Sequence, residues 1–153
     1  MRLFMISSLF LINSAFAQGP DSESPKINKD DAPKELGAVV RGQVSFANLK
    51  DGDVVKSPVK VKMAITGLKV RPAGEDVNDV TSGHHHILVD SKPIPAGQVI
   101  TVDPTHIHFG KGQTEAEVPL TPGDHTLTLQ FADGAHRSYG DKVSATVKIK
   151  VTK

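Results

Sequence analysis

The stretch Val59-Lys60-Val61-Lys62-Met63-Ala64-Ile65 puts four apolar side chains on one face and two lysines on the other. Successive side chains of a β-strand point to opposite faces, so this period of two predicts a strand with one buried and one wet face. The segment Val143–Val151 (VSATVKIKV) repeats the pattern, with its five apolar residues inward. Between such runs lie turn sequences such as KDGD at 50–53 and TPGD at 121–124, and no segment has a convincing helical period. The sequence therefore predicts an all-β fold.

The residues that precede this alternating pattern have a different character. Residues 18–36 contain three prolines, many charges and only two large apolar side chains, which predicts a disordered spacer. Residues 1–17 combine Arg2, an apolar run and Ala15-Phe16-Ala17, as in a secretory signal peptide with its cleavage site. We therefore predict one β-domain over residues 37–153, in a periplasmic or secreted protein. The apolar run is too short to cross a bilayer, so membrane insertion is not expected.

Composition excludes several kinds of chemistry and partner. The chain has no cysteine, so disulfides, thiolate ligands and a cysteine nucleophile are ruled out. Loss of the signal peptide removes Arg2 and leaves as many basic as acidic side chains. Nucleic acid is not an expected partner, because proteins usually bind it through a basic excess on one face.

Two local patterns narrow the type of β-fold. The segment 122–129 (PGDHTLTL) resembles the PG-x-Y-x-L segment of bacterial immunoglobulin-like domains, with His125 at the position of their corner tyrosine. The segment 48–59, with Asp51-Gly52 followed by Ser57-Pro58-Val59, is similar to the opening of many such modules. We therefore predict an immunoglobulin-like antiparallel β-sandwich. Alternation places His125 on the same face of its strand as apolar residues, so a corner hydrogen bond is favoured over metal ligation.

Three consecutive histidines follow Gly83 in the segment GHHHILVD at residues 83–90. Alternation places His85 on the same face as Ile87 and Val89, and it places His84 and His86 on the opposite face. Because the apolar pair marks the core, His84 and His86 are predicted to point outward. For His85 the favoured interpretation is a buried neutral histidine bonded to a backbone carbonyl.

A second outward pair follows in the segment THIHF, where Ile107 and Phe109 face inward and His106 and His108 face outward. Residues i and i+2 of a strand lie roughly 6.5–7 Å apart, so two imidazoles can lean together toward one ion. The segment 91–103 could bring the two pairs together, and His136 lies in a loop that could add a ligand. The sequence thus predicts a metal centre, and its candidate ligands are His84, His86, His106, His108 and His136. Imidazole suits Cu²⁺ and Zn²⁺.

Carboxylates close to the histidines in sequence could complete or orient such a centre. They are Asp90, Asp103, Glu115 and Asp133, and the sequence does not select among them. For the histidines of the two pairs, the alternative is that they are solvated or hydrogen-bonded to each other, because spacing alone does not define a metal site.

Several blocks together carry a family resemblance. The blocks GHHHILVD (83–90), HFGKGQTE (108–115), PGDHTL (122–127) and Asp133 with His136 resemble the signature of a family of small exported bacterial domains of unknown function. The resemblance spans roughly residues 44–151. It implies an exported β-domain and no established activity. His106 fits the pattern less clearly than the other histidines.

Two functions from different classes follow. The first is a periplasmic module that sequesters or delivers divalent copper or zinc. The second is a non-enzymatic interaction module of the cell envelope, whose partner would be an envelope protein and whose histidines would be structural.

An enzyme is less favoured, because no serine lies in a nucleophile-elbow context and Glu115 is the only general base to suggest for metal-assisted hydrolysis. A copper-zinc dismutase shares only the sandwich fold, since cysteines are absent here.

Overall fold

The structure is a computed structural model, and it describes residues 42–153. The predicted signal peptide, the predicted spacer and the start of the predicted domain lie outside the described residues. Within the described part no α-helix is present, and a short 3₁₀ turn at Asp141–Val143 precedes the last strand. The strands are β1 (Gln43–Phe46), β2 (Asp53–Lys56), β3 (Val59–Thr66), β4 (Lys69–Val70), β5 (Ser82–Val89), β6 (His106–His108), β7 (Glu115–Val118), β8 (Gly123–Ala132) and β9 (Ser144–Thr152).

The strands form two sheets, and this confirms the predicted all-β fold. One sheet has the order β1-β3-β7, and the larger one has the order β2-β9-β8-β5-β4 with β6 also paired to β5. A common apolar core joins residues of both sheets, among them Val61 and Met63 of β3, Leu129 and Phe131 of β8, and Ile149 of β9. The two sheets fit a sandwich that buries one face of each.

The alternation that predicted the fold is present in the structure. Val59, Val61 and Met63 of β3 are buried while Lys60 and Lys62 are exposed. In β9 the residues Val147, Ile149 and Val151 are buried in the same way. Each fully buried valine or isoleucine stabilises the fold by about 1.5–3 kcal/mol. Val143 is buried as expected, although it belongs to the 3₁₀ turn and not to the strand.

The larger sheet departs from the antiparallel arrangement that the sequence predicts. Strand β2 pairs in parallel with β9, and β4 pairs in parallel with β5. The turn before β2 explains the first pair, because Asp51 Oδ1 accepts a hydrogen bond from Lys148 N at 2.7 Å and Gly52 N donates to Lys148 O at 2.7 Å. These bonds hold the start of β2 beside β9, so that the two strands run in the same direction.

Strand β5 is the strand that positions the three consecutive histidines. It pairs with β8 along one edge, and its other edge carries β4 and then β6. All eight of its residues are buried, so both of its faces are covered. The second face lies under the segment between β5 and β6. That segment is held by Gln130 of β8, whose amide bonds both the N and the O of Ile94 at 2.8 Å.

Candidate metal centre

His84 and His86 lie side by side on one face of β5. Their ring centroids are 4.8 Å apart and their Nε2 atoms are 3.0 Å apart, so the two imidazoles lean together as the sequence predicts. Both side chains lie on the predicted face, opposite Ile87 and Val89 of the core, but they have 0% exposure and are not open to solvent. The rings of His108 and His136 lie 4.9 Å from that of His84, and Gln130, which pairs with His86 in the register, holds the segment around Ile94 on the same side of the sheet.

His108 of β6 is the third member of the group. The register of β5 and β6 sets it directly opposite His86. Its ring centroid lies 5.1 Å from that of His86 and 4.9 Å from that of His84. One ligand atom from each of the three residues can be chosen so that all lie within 4.8 Å of one another, which is close enough to hold a metal ion.

His136 reaches the same place from the loop that follows β8. Its Nε2 lies 3.1 Å from Nε2 of His108, and its ring centroid lies 4.9 Å from that of His84. Its φ of 64° is in the left-handed region, which a non-glycine residue adopts at some energetic cost. We refer to His84, His86, His108 and His136 as the four-histidine cluster.

The loop that carries His136 is held by hydrogen bonds around Asp133. This carboxylate is 1% exposed; its Oδ1 accepts from the backbone N of Ala135 and Arg137, and its Oδ2 accepts from Arg137 Nε at 2.7 Å. On the other side, Ile100 N donates to His136 O at 2.9 Å. The strained conformation of His136 is thus fixed by its surroundings, so its imidazole is directed toward the other three.

The separations between the ring nitrogens are suitable for one ion. With bonds of about 2.0–2.1 Å, adjacent nitrogens would lie roughly 2.8–2.9 Å apart in square-planar geometry and roughly 3.3 Å apart in tetrahedral geometry. The two close Nε2 pairs, at 3.0 Å and 3.1 Å, fall between these values. Ligand atoms of His84, His86 and His108 already lie within 4.8 Å of one another, compared with roughly 4 Å between opposite nitrogens of a square-planar site.

Burial keeps these imidazoles in the neutral form that binds metal. Desolvation, followed by repulsion from neighbouring imidazoles, lowers the pKa of His84 to about 4 and that of His86 to about 2. The pKa of His108 is lowered for the same reasons. Near neutral pH these side chains therefore offer lone pairs to a cation.

The structure separates His106 from the cluster. Its Nδ1 lies 2.6 Å from Oδ2 of Asp103, and Asp103 Oδ1 also accepts from the backbone N of His106 and Thr105. His106 stands opposite Leu88 in the register, two residues beyond the pair of His86 and His108. Of the predicted candidates, the structure thus brings four together, and it places His106 at the start of β6, where its ring bonds to Asp103.

His85 and His125 have different surroundings from the cluster. His85 is buried as predicted, and its ring centroid lies 4.9 Å from that of Phe131. The predicted bond to a backbone carbonyl is wrong, because neither ring nitrogen has a partner among residues 42–153. His125 makes the predicted corner hydrogen bond, from Nε2 to Thr121 O at 2.9 Å, and its Nδ1 lies 2.8 Å from Asp90 Oδ2.

The four nearby carboxylates act outside the cluster. Asp90 pairs with His125, Asp103 with His106, and Glu115 with Lys62 at 3.3 Å. Asp133 supports the His136 loop through backbone and Arg137 contacts. Within the described residues, the Nδ1 atoms of His84 and His86 have no hydrogen-bond partner. The centre therefore lacks the carboxylate–histidine pairs that orient ligands in many metal sites.

Sequence reasoning missed two residues that shape the centre. Gln130 holds the segment around Ile94. The sequence feature that could have indicated this role is a long polar side chain at the position of β8 that pairs with His86. Gly110 lies against the His108 ring. The sequence feature that could have indicated its role is the glycine itself, which follows a candidate ligand by two residues on the same side of the chain.

The fold and the cluster define an all-β domain in which His84, His86 and His108 lie close enough together to hold a metal ion. Residues 61–152 match the family described as "Domain of unknown function (DUF4399)", and the chain belongs to that family. The match includes all four residues of the cluster, and it begins later than the resemblance that starts at residue 44. No curated protein matches the chain. Among the described residues no helix is long and apolar enough to span a bilayer.

Proposed function

We propose that this protein binds a divalent transition-metal ion at the four-histidine cluster, and that it sequesters or delivers that ion after export. The observation that carries the proposal is the approach of four imidazoles from three separate segments, with Nε2 pairs at 3.0 Å and 3.1 Å.

The donor set decides which metals suit the site. It consists of imidazole nitrogens alone, and the chain has no cysteine. Met63, which could offer a thioether, is buried in the apolar core. Cu⁺ prefers such sulfur ligands, whereas Cu²⁺ and Zn²⁺ bind imidazole well. Of these two ions, Cu²⁺ is expected to bind more tightly, because it stands higher in the general order of divalent affinities.

The proposal is tested by isothermal titration of the purified protein with Cu²⁺ and with Zn²⁺. One ion per chain is expected to bind, and His84→Ala with His86→Ala is expected to abolish that binding. His106→Ala is the matched control, since it removes an imidazole from the same face without touching the cluster. Binding no tighter than that of an unrelated histidine-bearing protein would refute the proposal.

One observation favours a second candidate, an interaction module of the cell envelope with structural histidines. The Nε2 separations of 3.0 Å and 3.1 Å also suit direct hydrogen bonds between neutral imidazoles. In that case the double variant would lose the bond between His84 and His86 and the domain would lose stability, with or without a chelator. In the metal-binding case the chelator alone would lower the melting temperature of the wild type.

We also propose that the sandwich is of the immunoglobulin type and that the protein is periplasmic or secreted. The corner bond from His125 to Thr121 supports the first statement, because it occupies the place of a tyrosine corner. The signal-peptide pattern of residues 1–17 supports the second. Mass spectrometry of the protein recovered after expression in a bacterium tests the export, since cleavage should leave Gln18 as the first residue.

A further inference from the structure

We infer that Gly110 is a positioning residue, which allows the His108 imidazole to take its place in the centre. This inference rests on the proposed function, and it assigns a role to a residue that offers no ligand atom. Gly110 follows the end of β6, two residues after His108, so it lies on the same side of the chain as that histidine. Extending the register of β5 and β6 sets it opposite His84.

The His108 ring lies over the α-carbon of Gly110. A Cβ atom at position 110 would overlap Cε1 and Nε2 of His108 and would lie 3.2 Å from Nδ1. The ring thus leans toward position 110. This orientation brings it close to His84 as well as to His86, its direct partner in the register. Any side chain at position 110 would prevent it.

The backbone around Gly110 is held in place, so the ring would have to move. Gly110 O accepts a hydrogen bond from Ala73 N at 2.9 Å, and the preceding Phe109 N donates to His85 O at 3.1 Å. Gly110 itself does not have a left-handed φ, so alanine fits its backbone conformation. The cost of a methyl group at this position is therefore the contact with the imidazole.

Displacement of this ring would remove a ligand atom from the centre. Nε2 of His108 is the atom that lies 3.1 Å from Nε2 of His136, and it is also one of the two ring atoms that the methyl group would overlap. Gly110→Ala is therefore expected to resemble His108→Ala in metal binding, although every histidine is retained.

The test is titration of Gly110→Ala with Cu²⁺, together with the electron paramagnetic resonance spectrum of the bound ion. We expect affinity to fall at least tenfold and the nitrogen hyperfine pattern to show one imidazole fewer. Gly112→Ala is the control in the same loop. It strains the backbone at a φ of 75°, but its nearest neighbour would be Val70 at 3.5 Å. Its spectrum should match that of the wild type.

The outcomes separate this inference from the proposed function. Failure of the wild type to bind Cu²⁺ would overturn the proposed function, and the inference with it. Wild-type binding with unchanged affinity and spectrum in Gly110→Ala would overturn the inference alone.

A further variant covers the case in which Gly110→Ala folds poorly. If the clash with the ring is the cause, His108→Ala combined with Gly110→Ala should regain the melting temperature of His108→Ala. A double variant as unstable as Gly110→Ala would show that the glycine serves the backbone, and this too would overturn the inference.

Discussion

The Nε2 atoms of His84 and His86 lie 3.0 Å apart on two side chains that are fully shielded from solvent. Without an ion, one of these atoms must donate a proton and the other must accept it, because two lone pairs at this distance repel. With an ion between them, both lone pairs are used. The proposed metal binding is therefore expected to be coupled to the stability of the domain.

The first prediction concerns this coupling. At a free ion concentration 100 times the dissociation constant, Cu²⁺ or Zn²⁺ should raise the free energy of unfolding by about 2.7 kcal/mol. Urea denaturation with the ion and with a chelator measures the difference. The variant His84→Ala/His86→Ala should show no such increase in the free energy of unfolding. An increase equal to that of the wild type would mean that the ion binds at another site.

The second prediction separates His106 from His108. The Nδ1 of His106 is held at 2.6 Å from Asp103, and His106 pairs with Leu88, two register positions from the pair of His86 and His108. His106→Ala should therefore leave the metal affinity within about threefold of the wild type, whereas His108→Ala should lower it at least tenfold. Equal losses in the two variants would mean that His106 is a ligand.

The third prediction concerns the stability cost of His85. Both of its ring nitrogens are buried and have no partner among the described residues. An unsatisfied buried polar group costs about 1–3 kcal/mol, so His85→Leu should raise the free energy of unfolding by about 1 kcal/mol. Urea denaturation of the metal-free protein checks this. A clear loss of stability would indicate that the imidazole has a hydrogen-bond partner after all.

The fourth prediction is a pH dependence that comes from His125. The hydrogen bond with Asp90 raises the pKa of His125 above 6.5, and the bond to Thr121 O acts in the same direction. Both ring nitrogens face acceptors, so the imidazolium is the favoured form. Its stabilisation is complete below the unfolded pKa of 6.5 and is lost as the pH rises through the raised folded value.

Urea denaturation of the wild type and of His125→Ala, from pH 5.5 to pH 9, isolates this contribution. The difference in unfolding free energy between the two proteins should shrink as the pH rises. A difference that stays constant or grows would show that His125 is held as neutral imidazole.

The fifth prediction concerns Asp133, which supports the loop of His136. The carboxylate is 1% exposed and accepts three hydrogen bonds from Ala135 and Arg137. Asp133→Ala should lower the free energy of unfolding by about 2–4 kcal/mol, because it leaves these donors without a partner. Metal affinity should fall as well. The exposed Glu117→Ala is the control and should change stability by less than about 0.5 kcal/mol.

The sequence predicts those features that depend on local alternation. The two faces of β3 and β9 follow directly from their period of two, and so does the shared face of His84 and His86. The corner bond of His125 follows from a turn motif. These features need no information about distant parts of the chain.

Features that depend on distant contacts could not be predicted in this way. His84 and His86 are buried beside residues that are distant in sequence, since the rings of His108 and His136 lie 4.9 Å from that of His84 and Gln130 pairs with His86 in the register. The separation of His106 from His108 depends on the bond to Asp103, which alternation does not reveal. The parallel pairing of β2 depends on bonds between residues 51–52 and Lys148, almost 100 positions away.

X-ray absorption at the metal edge of the protein loaded with one equivalent of Cu²⁺ tests the central claim most directly. It counts the ligands around the ion and identifies imidazole by its outer-shell scattering. We expect four imidazole nitrogens at about 2.0 Å in the wild type, and fewer in His136→Ala. A bound ion with two or fewer imidazoles would contradict the account, since the four-histidine cluster would then not be the place where the metal binds.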